Sequence, residues 1–193
     1  MPRRVLGATV VVAALAIVAP AQAAVDLNNL NPPPPDFYTC TATGGGAVCH
    51  GKQTNEYFAA WDIPCPQGFT MVEHGVVVET ARRVYDRDGN LVRRDLHDSW
   101  DRSADNVIFN PDNGKSVPYT SQVTEHDTFA VPGDFASVTA RFSGVGYIIH
   151  GDGGLAAHDS GQLVFGPDGD LIDSAGPHTL FDGLIGPVCD LLA

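Results

Sequence analysis

Residues 76–97, VVVETARRVYDRDGNLVRRDLH, decide the fold. A β-branched run from Val76 to Tyr85 meets the cluster Asp86-Arg87-Asp88-Gly89-Asn90, and a second extended run starts at Leu91. β-Branched residues suit a pleated, half-buried surface, and Asp, Gly and Asn supply turn geometry, so the stretch reads as one β-hairpin. The rest of the chain repeats that unit. Dense turn signals stand at Asn110-Pro111-Asp112-Asn113-Gly114, Val131-Pro132-Gly133-Asp134, Gly151-Asp152-Gly153-Gly154 and Pro167-Asp168-Gly169-Asp170.

Between the turns, extended segments are expected over 69–85 (with a bend or bulge at Gly75), 91–100, 107–109, 117–130, 136–150, 155–165 and 171–175. Residues 178–181 are a candidate last strand. Earlier, 37–43 and 47–50 flank Gly44-Gly45-Gly46 as a small hairpin, and 56–61 ends at Pro64-Cys65-Pro66. No window carries the period of an amphipathic helix. Several segments exceed the usual strand length of about five or six residues. Long strands joined in order by tight turns predict an all-β chain, an antiparallel up-and-down β-barrel, because closure removes unpaired edges. A β-sandwich is the alternative.

The N-terminus has a different grammar. Arg3-Arg4, an apolar run over 8–19 and Ala21-Gln22-Ala23 have the layout of a secretory signal peptide over 1–23. Twelve apolar residues rise only about 18 Å as a helix, too short for a bilayer. Residues 24–36, with four consecutive prolines from Pro32, are expected to be an extended or disordered linker. Residues 37–193 then form a single domain. Without Arg3 and Arg4 the chain has 9 basic against 23 acidic residues, a formal charge of −14. That disfavours nucleic acid and anionic membrane as partners. The expected location is extracellular, and the sequence leaves the oligomeric state open. Four cysteines in an exported chain imply two disulfides. Three connectivities are possible; Cys40–Cys49 and Cys65–Cys189 are favoured over the others and over a zinc site, which the spacing does not suit.

Alternation sorts each strand into two faces. The expected inner faces carry Val138, Phe142, Gly144, Gly146, Ile148 and His150 on 136–150, and Tyr119, Val123, Glu125 and Asp127 on 117–130. On 91–100 they carry Arg94, Asp98 and Trp100, and on 155–165 Leu155, Asp159 and Leu163. On 76–85 the two parities are close, and Val76, Val78, Thr80, Arg82 and Val84 are slightly favoured. The result is a set of charges (Arg82, Arg94, Asp98, Glu125, Asp127, His150 and Asp159) on otherwise apolar faces. Such groups must pair, shift their pKa or line a wet chamber. A one-residue bulge would turn part of the set outward, and a structural Arg–Asp network would need no ligand.

Recognisable catalytic and metal motifs are weak. Asp86-Arg87-Asp88-Gly89-Asn90 has its glycine too early for a calcium loop, and His97 stands where a bidentate Glu belongs. His97-Asp98, His126-Asp127 and His158-Asp159 are strand neighbours that face opposite ways. Ser143 and Ser160 lack the Gly-x-Ser-x-Gly elbow, and no glycine pair opens a helix to cradle phosphate. No metal or cofactor is expected.

The segments 85–91, 110–116 and 175–178, together with Cys189, make the chain resemble small exported actinobacterial proteins of uncharacterised function, over most of the sequence after the linker. The meander is also similar in layout to lipocalins, allene oxide cyclases and dirigent proteins. The first resemblance implies no active site, and the second implies architecture alone. The leading expectation is a secreted barrel that holds a small apolar or amphipathic ligand. Its wall would be Trp100, Tyr119, Val123, Phe142, Ile148 and Leu163, and its polar contacts Arg82, Arg94, Asp98, Glu125 and His150. The second is a cyclase- or isomerase-type enzyme in the same chamber, with Glu125 or His150 as proton donor or acceptor and Arg94 steadying negative charge. The third is an extracellular interaction protein with a filled core.

Overall fold

The computed structural model describes residues 25–101 and 105–193. The expected signal peptide lies outside them. Among the described residues nine strands form one antiparallel sheet: β1 (Tyr38–Thr43), β2 (Gly46–Ala60), β3 (Val72–Tyr85), β4 (Leu91–Trp100), β5 (Val107–Phe109), β6 (Ser116–Phe129), β7 (Val138–Gly151), β8 (Gly154–Phe165) and β9 (Leu171–Ala175). A short helix, α1 (Gly186–Leu192), follows. Neighbours in sequence are neighbours in the sheet, except that β5 lies between β3 and β6 beyond the end of β4. β4 and β5 thus share one lane. At the break between them, Asn106 stands in for ladder bonds: its Oδ1 accepts from Val76 N at 2.7 Å, and its carbonyl accepts from Tyr119 N at 3.0 Å.

Local chemistry sets the hairpins. In the β3–β4 turn, Asp86 Oδ1 accepts from the amides of Asp88 and Asn90 at 3.0 and 2.8 Å, and Gly89 takes φ +83°. One oxygen of this carboxylate thus closes its own turn. β2 is one 15-residue strand where two shorter segments were expected. Gly75 is not a bulge either, because β2 and β3 stay in register through the pair Tyr57–Gly75. The Tyr57 ring lies over this glycine, so a Cβ there would come within 2.5 Å of it.

Two apolar clusters fill the ends of the sheet's inner side. One joins Met71, Ile108, Ile149, Val188 and Leu192, all fully buried, and takes in Cys65–Cys189. That disulfide ties α1 to the loop after β2. The other gathers Leu30, Cys49, Tyr85 and Leu91, with the Cys40–Cys49 bridge across a β1–β2 pair. Residues 25–36 are therefore not the unpacked linker that composition suggested. Leu30 is buried, Pro32 O accepts from the Tyr85 hydroxyl at 2.9 Å, and Asn31 pairs with Asn90. Prolines without amide donors can still offer carbonyls and apolar surface, and here they cap one end of the sheet.

The sheet curls. Tyr57 on β2 and Tyr119 on β6 bring their hydroxyls to 3.3 Å, and Trp61, just past β2, meets the Tyr147 ring of β7 at 5.8 Å between centroids. A flat sheet with strands about 4.8 Å apart could not bring β2 and β7 together, since β3, β4/β5 and β6 lie between them.

Candidate functional site

Between the two apolar ends, the concave side carries a belt of half-buried and polar side chains. The register places Arg83, Ala81 and Glu79 of β3 beside Arg94, Leu96 and Asp98 of β4, and these beside Asp127, Glu125 and Val123 of β6. Across the next ladder lie Ala140, Phe142 and Gly144 of β7, then Phe165, Leu163 and Gly161 of β8. The expected inner face of β6 is correct, and that of β4 is correct from Arg94 on; at its start Leu91 and not Val92 packs inward, because the β3–β4 register shifts between Val84 and Tyr85.

Two expectations are corrected. On β3 the odd-numbered side chains face inward. Arg83 is buried, whereas the Arg82 side chain is 40% exposed and pairs with Asp95 on the outer surface at 3.4 Å. Valines on both parities hid the true face, which Val77, Ala81 and Tyr85 fix by packing inward. On β7 an extra residue at Gly146 breaks the register between Val145 and Tyr147. Every later side chain changes sides. Tyr147 and Ile149 point in, and Ile148 and the exposed His150 leave the concave face, so neither can line a chamber with Glu125. A second irregularity, between Ile149 and His150, accompanies a Leu155 that is 58% exposed where an inner position was expected.

Arg94, Glu125 and Asp127 do come together. Arg94 Nη2 lies 2.6 Å from Glu125 Oε1 and 2.6 Å from Asp127 Oδ2, and Arg94 Nε donates to Asp127 Oδ2 at 2.6 Å. Phe135 covers the guanidinium at 5.5 Å. Asp127 is fully buried, and its Oδ1 has no hydrogen-bond partner. Burial pushes the Glu125 carboxyl up to about 7; Arg94 opposes the rise, while the Asp127 charge and a hydrogen bond to it add to it. Arg94 is engaged on both sides and is not a free anion site. Asp98 is also shifted up, by burial first and then by Glu79, which accepts from Gln53 Nε2 at 3.0 Å.

Deeper in the curl lies an arrangement the sequence reading missed. The buried Glu73 carboxylate accepts three tyrosine hydroxyls: Tyr57 at 2.5 Å, Tyr119 at 2.6 Å and Tyr147 at 2.8 Å. Burial, reinforced by the Glu73 bond, lifts the Tyr57 hydroxyl to about 12, and those of Tyr119 and Tyr147 rise by the same causes. All three remain donors at neutral pH. Tyr119 and Trp100, expected in a ligand wall, pack against the apolar end instead. Glu73 alternates with Met71, Gly75 and Val77, a signal that inward parity would have exposed. Tyr147 was hidden by the β7 bulge.

Beside the belt is a cleft of about 260 Å³. Phe142, Leu163, Phe165 and Phe181 wall it, with Val123 and Tyr147 at its margin. The aromatic rings contact one another edge to face, Phe142 to Phe165 at 5.7 Å and Phe165 to Phe181 at 6.4 Å. Gly144, Gly146 and Gly161 also line it; a Cβ at Gly144 or Gly161 would run into the backbone carbonyl of Gln122 or Ala175, respectively. Gly144 and Gly161 have φ +128° and +120°, conformations that L-residues rarely adopt. Asp159 does not serve as a free contact here. Its two oxygens accept the amides of Leu180 and Phe181 at 2.8 and 3.3 Å, which hangs the Phe181 segment on β8. Val123, Phe142 and Leu163 of the expected wall do line this cleft, with Phe165, which alternation also put on the inner face of 155–165, whereas Phe181 and His178 were not foreseen.

Among the described residues no cluster of three or more His, Cys, Asp or Glu side chains is placed to hold a metal ion. No helix among them is long and apolar enough to cross a membrane. No protein-family model, curated protein or solved structure matches the chain.

Proposed function

We propose that this protein is a secreted, disulfide-stapled β-barrel, open along one side, that binds a small apolar ligand against its concave face. The observation that carries the reading is the cleft of about 260 Å³ walled by Phe142, Leu163, Phe165 and Phe181 over a floor of glycine backbone. Its size is near the lower end of ligand pockets, roughly 300–1,000 Å³, which favours a ligand of one or two rings. Edge-to-face phenylalanines supply the surface such rings stack on. The half-buried belt of Asp98, Val123 and Glu125 argues against a core packed solid, and so against the reading as an interaction protein with a filled core. Two disulfides fit an oxidising, extracellular setting.

The test is titration with 1-anilinonaphthalene-8-sulfonate and with naphthalene. The expected result is saturable 1:1 binding that Leu163→Gln and Phe181→Ala each weaken about tenfold, the roughly 1.4 kcal/mol worth of one buried apolar contact. Binding of neither probe, or binding unmoved by both substitutions, would overturn the proposal.

A further inference from the structure

We propose that Glu125 and Asp127 share one proton under the Arg94 clamp, which makes Glu125 a neutral acid that offers a proton to a ligand seated beside Phe142. The shared proton does not depend on the binding reading; the ligand that would meet Glu125 rests on it. Asp127 was expected only as one member of a charged face; the pairing assigns it a distinct role, as the acceptor that holds Glu125 in its acid form.

Three geometric facts support it. Both carboxylates lie 2.6 Å from the same nitrogen, Arg94 Nη2, so one positive charge faces two negative ones. Asp127 is fully buried, yet its Oδ1 lacks a donor. A buried acceptor without a partner is costly, and a carboxyl proton on Glu125 supplies the missing donor. Glu125 also pairs with Phe142 across the β6–β7 ladder, and Phe142 and Val123 are cleft residues, so the acid stands next to two residues of the cleft wall without itself lining it. Like carboxylates that share a site cannot both ionise freely, and the elevated Glu125 titration agrees with that.

The surroundings are consistent. From β3, Arg83 and Glu79 face this region; from β4, Arg94 and Asp98; from β6, Asp127. From β1, Tyr38 stacks on Arg83, and from β7 the opposing residues are Ala140 and Phe142, which do not titrate. Arg83 turns toward Tyr38 and Pro33 O rather than toward Glu125. With Arg94 positive, Asp127 negative and Glu125 neutral, the clamp carries no net charge. Donation from Glu125 leaves a second carboxylate that Arg94 already contacts. The ligand this arrangement selects is an apolar ring system that carries a hydrogen-bond-accepting oxygen, such as a carbonyl.

The experiment is carbon-detected NMR of the side-chain carboxyls in the whole folded protein, with the Glu125 resonance assigned by its absence in Glu125→Gln. The expected midpoint is near pH 7, and it falls by at least one unit in Asp127→Asn. Glu125→Gln, whose amide can donate to Asp127 Oδ1, is expected to keep wild-type stability at pH 6. A wild-type midpoint in the ordinary range of about 4–5 would overturn the proposal even if the Asp127 variant fails to fold. So would marked destabilisation by Glu125→Gln at pH 6. Probe binding is read separately: if the cleft binds nothing but Glu125 titrates near 7, the carrier reading fails and the shared proton stands.

Discussion

Replacing Glu73 by alanine tests what holds the curl. Glu73 is 5% exposed and accepts three hydroxyls from β2, β6 and β7, so one carboxylate links four strands. Glu73→Ala removes all three bonds and leaves the Tyr119 hydroxyl, in a residue 1% exposed, with only the long 3.3 Å contact to the Tyr57 hydroxyl. An unsatisfied buried hydroxyl costs about 1–3 kcal/mol, and each half-buried partner loses a further ~0.5–1.5 kcal/mol. Against this, no Lys, Arg or His among the described residues forms an ion pair with Glu73, so the variant also escapes the cost of burying a charge. The expected net loss is about 3 kcal/mol, or roughly 6–12 °C in Tm for a chain of this size. Glu73→Gln keeps the shape: its oxygen accepts two hydroxyls and its amide donates to the third tyrosine. It should cost under about 1 kcal/mol. Urea unfolding in oxidising buffer, followed by fluorescence of Trp61 and Trp100, measures both. A Glu73→Ala loss below about 0.5 kcal/mol, or equal losses in the two variants, would refute the reasoning that these hydrogen bonds fasten the curl.

Gly75→Ala places a Cβ within 2.5 Å of the Tyr57 ring, so it should displace that ring and cost about 1–3 kcal/mol, with a changed near-ultraviolet dichroism. Removing Cys65–Cys189, which spans 124 residues, should cost up to ~5 kcal/mol, against ~2.6 kcal/mol for Cys40–Cys49, which spans 9, as equilibrium unfolding of the paired serine variants will compare. Stability should also fall as pH rises from 6 to 8. The folded Glu125 carboxyl is raised to about 7, so its contribution is complete below the unfolded value and is lost as pH passes the folded one. Over that range the single group can lose at most ~1.4 kcal/mol, on the order of 1 kcal/mol or less after allowance for solvent screening, and Glu125→Gln should flatten it. A slope that survives in Glu125→Gln would assign the effect to another group. On the outer surface, burial opposes ionisation of Asp95, but its hydrogen bonds to Arg93 and His126 outweigh this and hold the carboxyl below the usual range; on acidification that cluster should therefore persist until pH falls below the ordinary carboxylate range, visible as His126 shifts in NMR.

The sequence by itself determined the strand succession, because turn chemistry and alternation are local. Asp86-to-Asn90 and Pro167-to-Asp170 make their turns with their own amides and carbonyls, so reading them required no knowledge of distant residues. It also favoured the correct disulfide pairs and put Arg94, Glu125 and Asp127 on one side, since β4 and β6 pair there without a register break. What only the tertiary structure decided were matters of parity and curvature. One extra residue at Gly146 sent His150 outward and brought Tyr147 in, and a single-residue offset in a strand with period two exchanges its faces. Valines on both parities of β3 left Arg82 and Arg83 interchangeable until neighbouring strands packed against one of them. The Glu73–tyrosine knot and the cleft join residues far apart in the chain, 74 between Glu73 and Tyr147, and exist because the sheet curls. Curl is a sum of small twists over many strands, and no local segment of the chain specifies it.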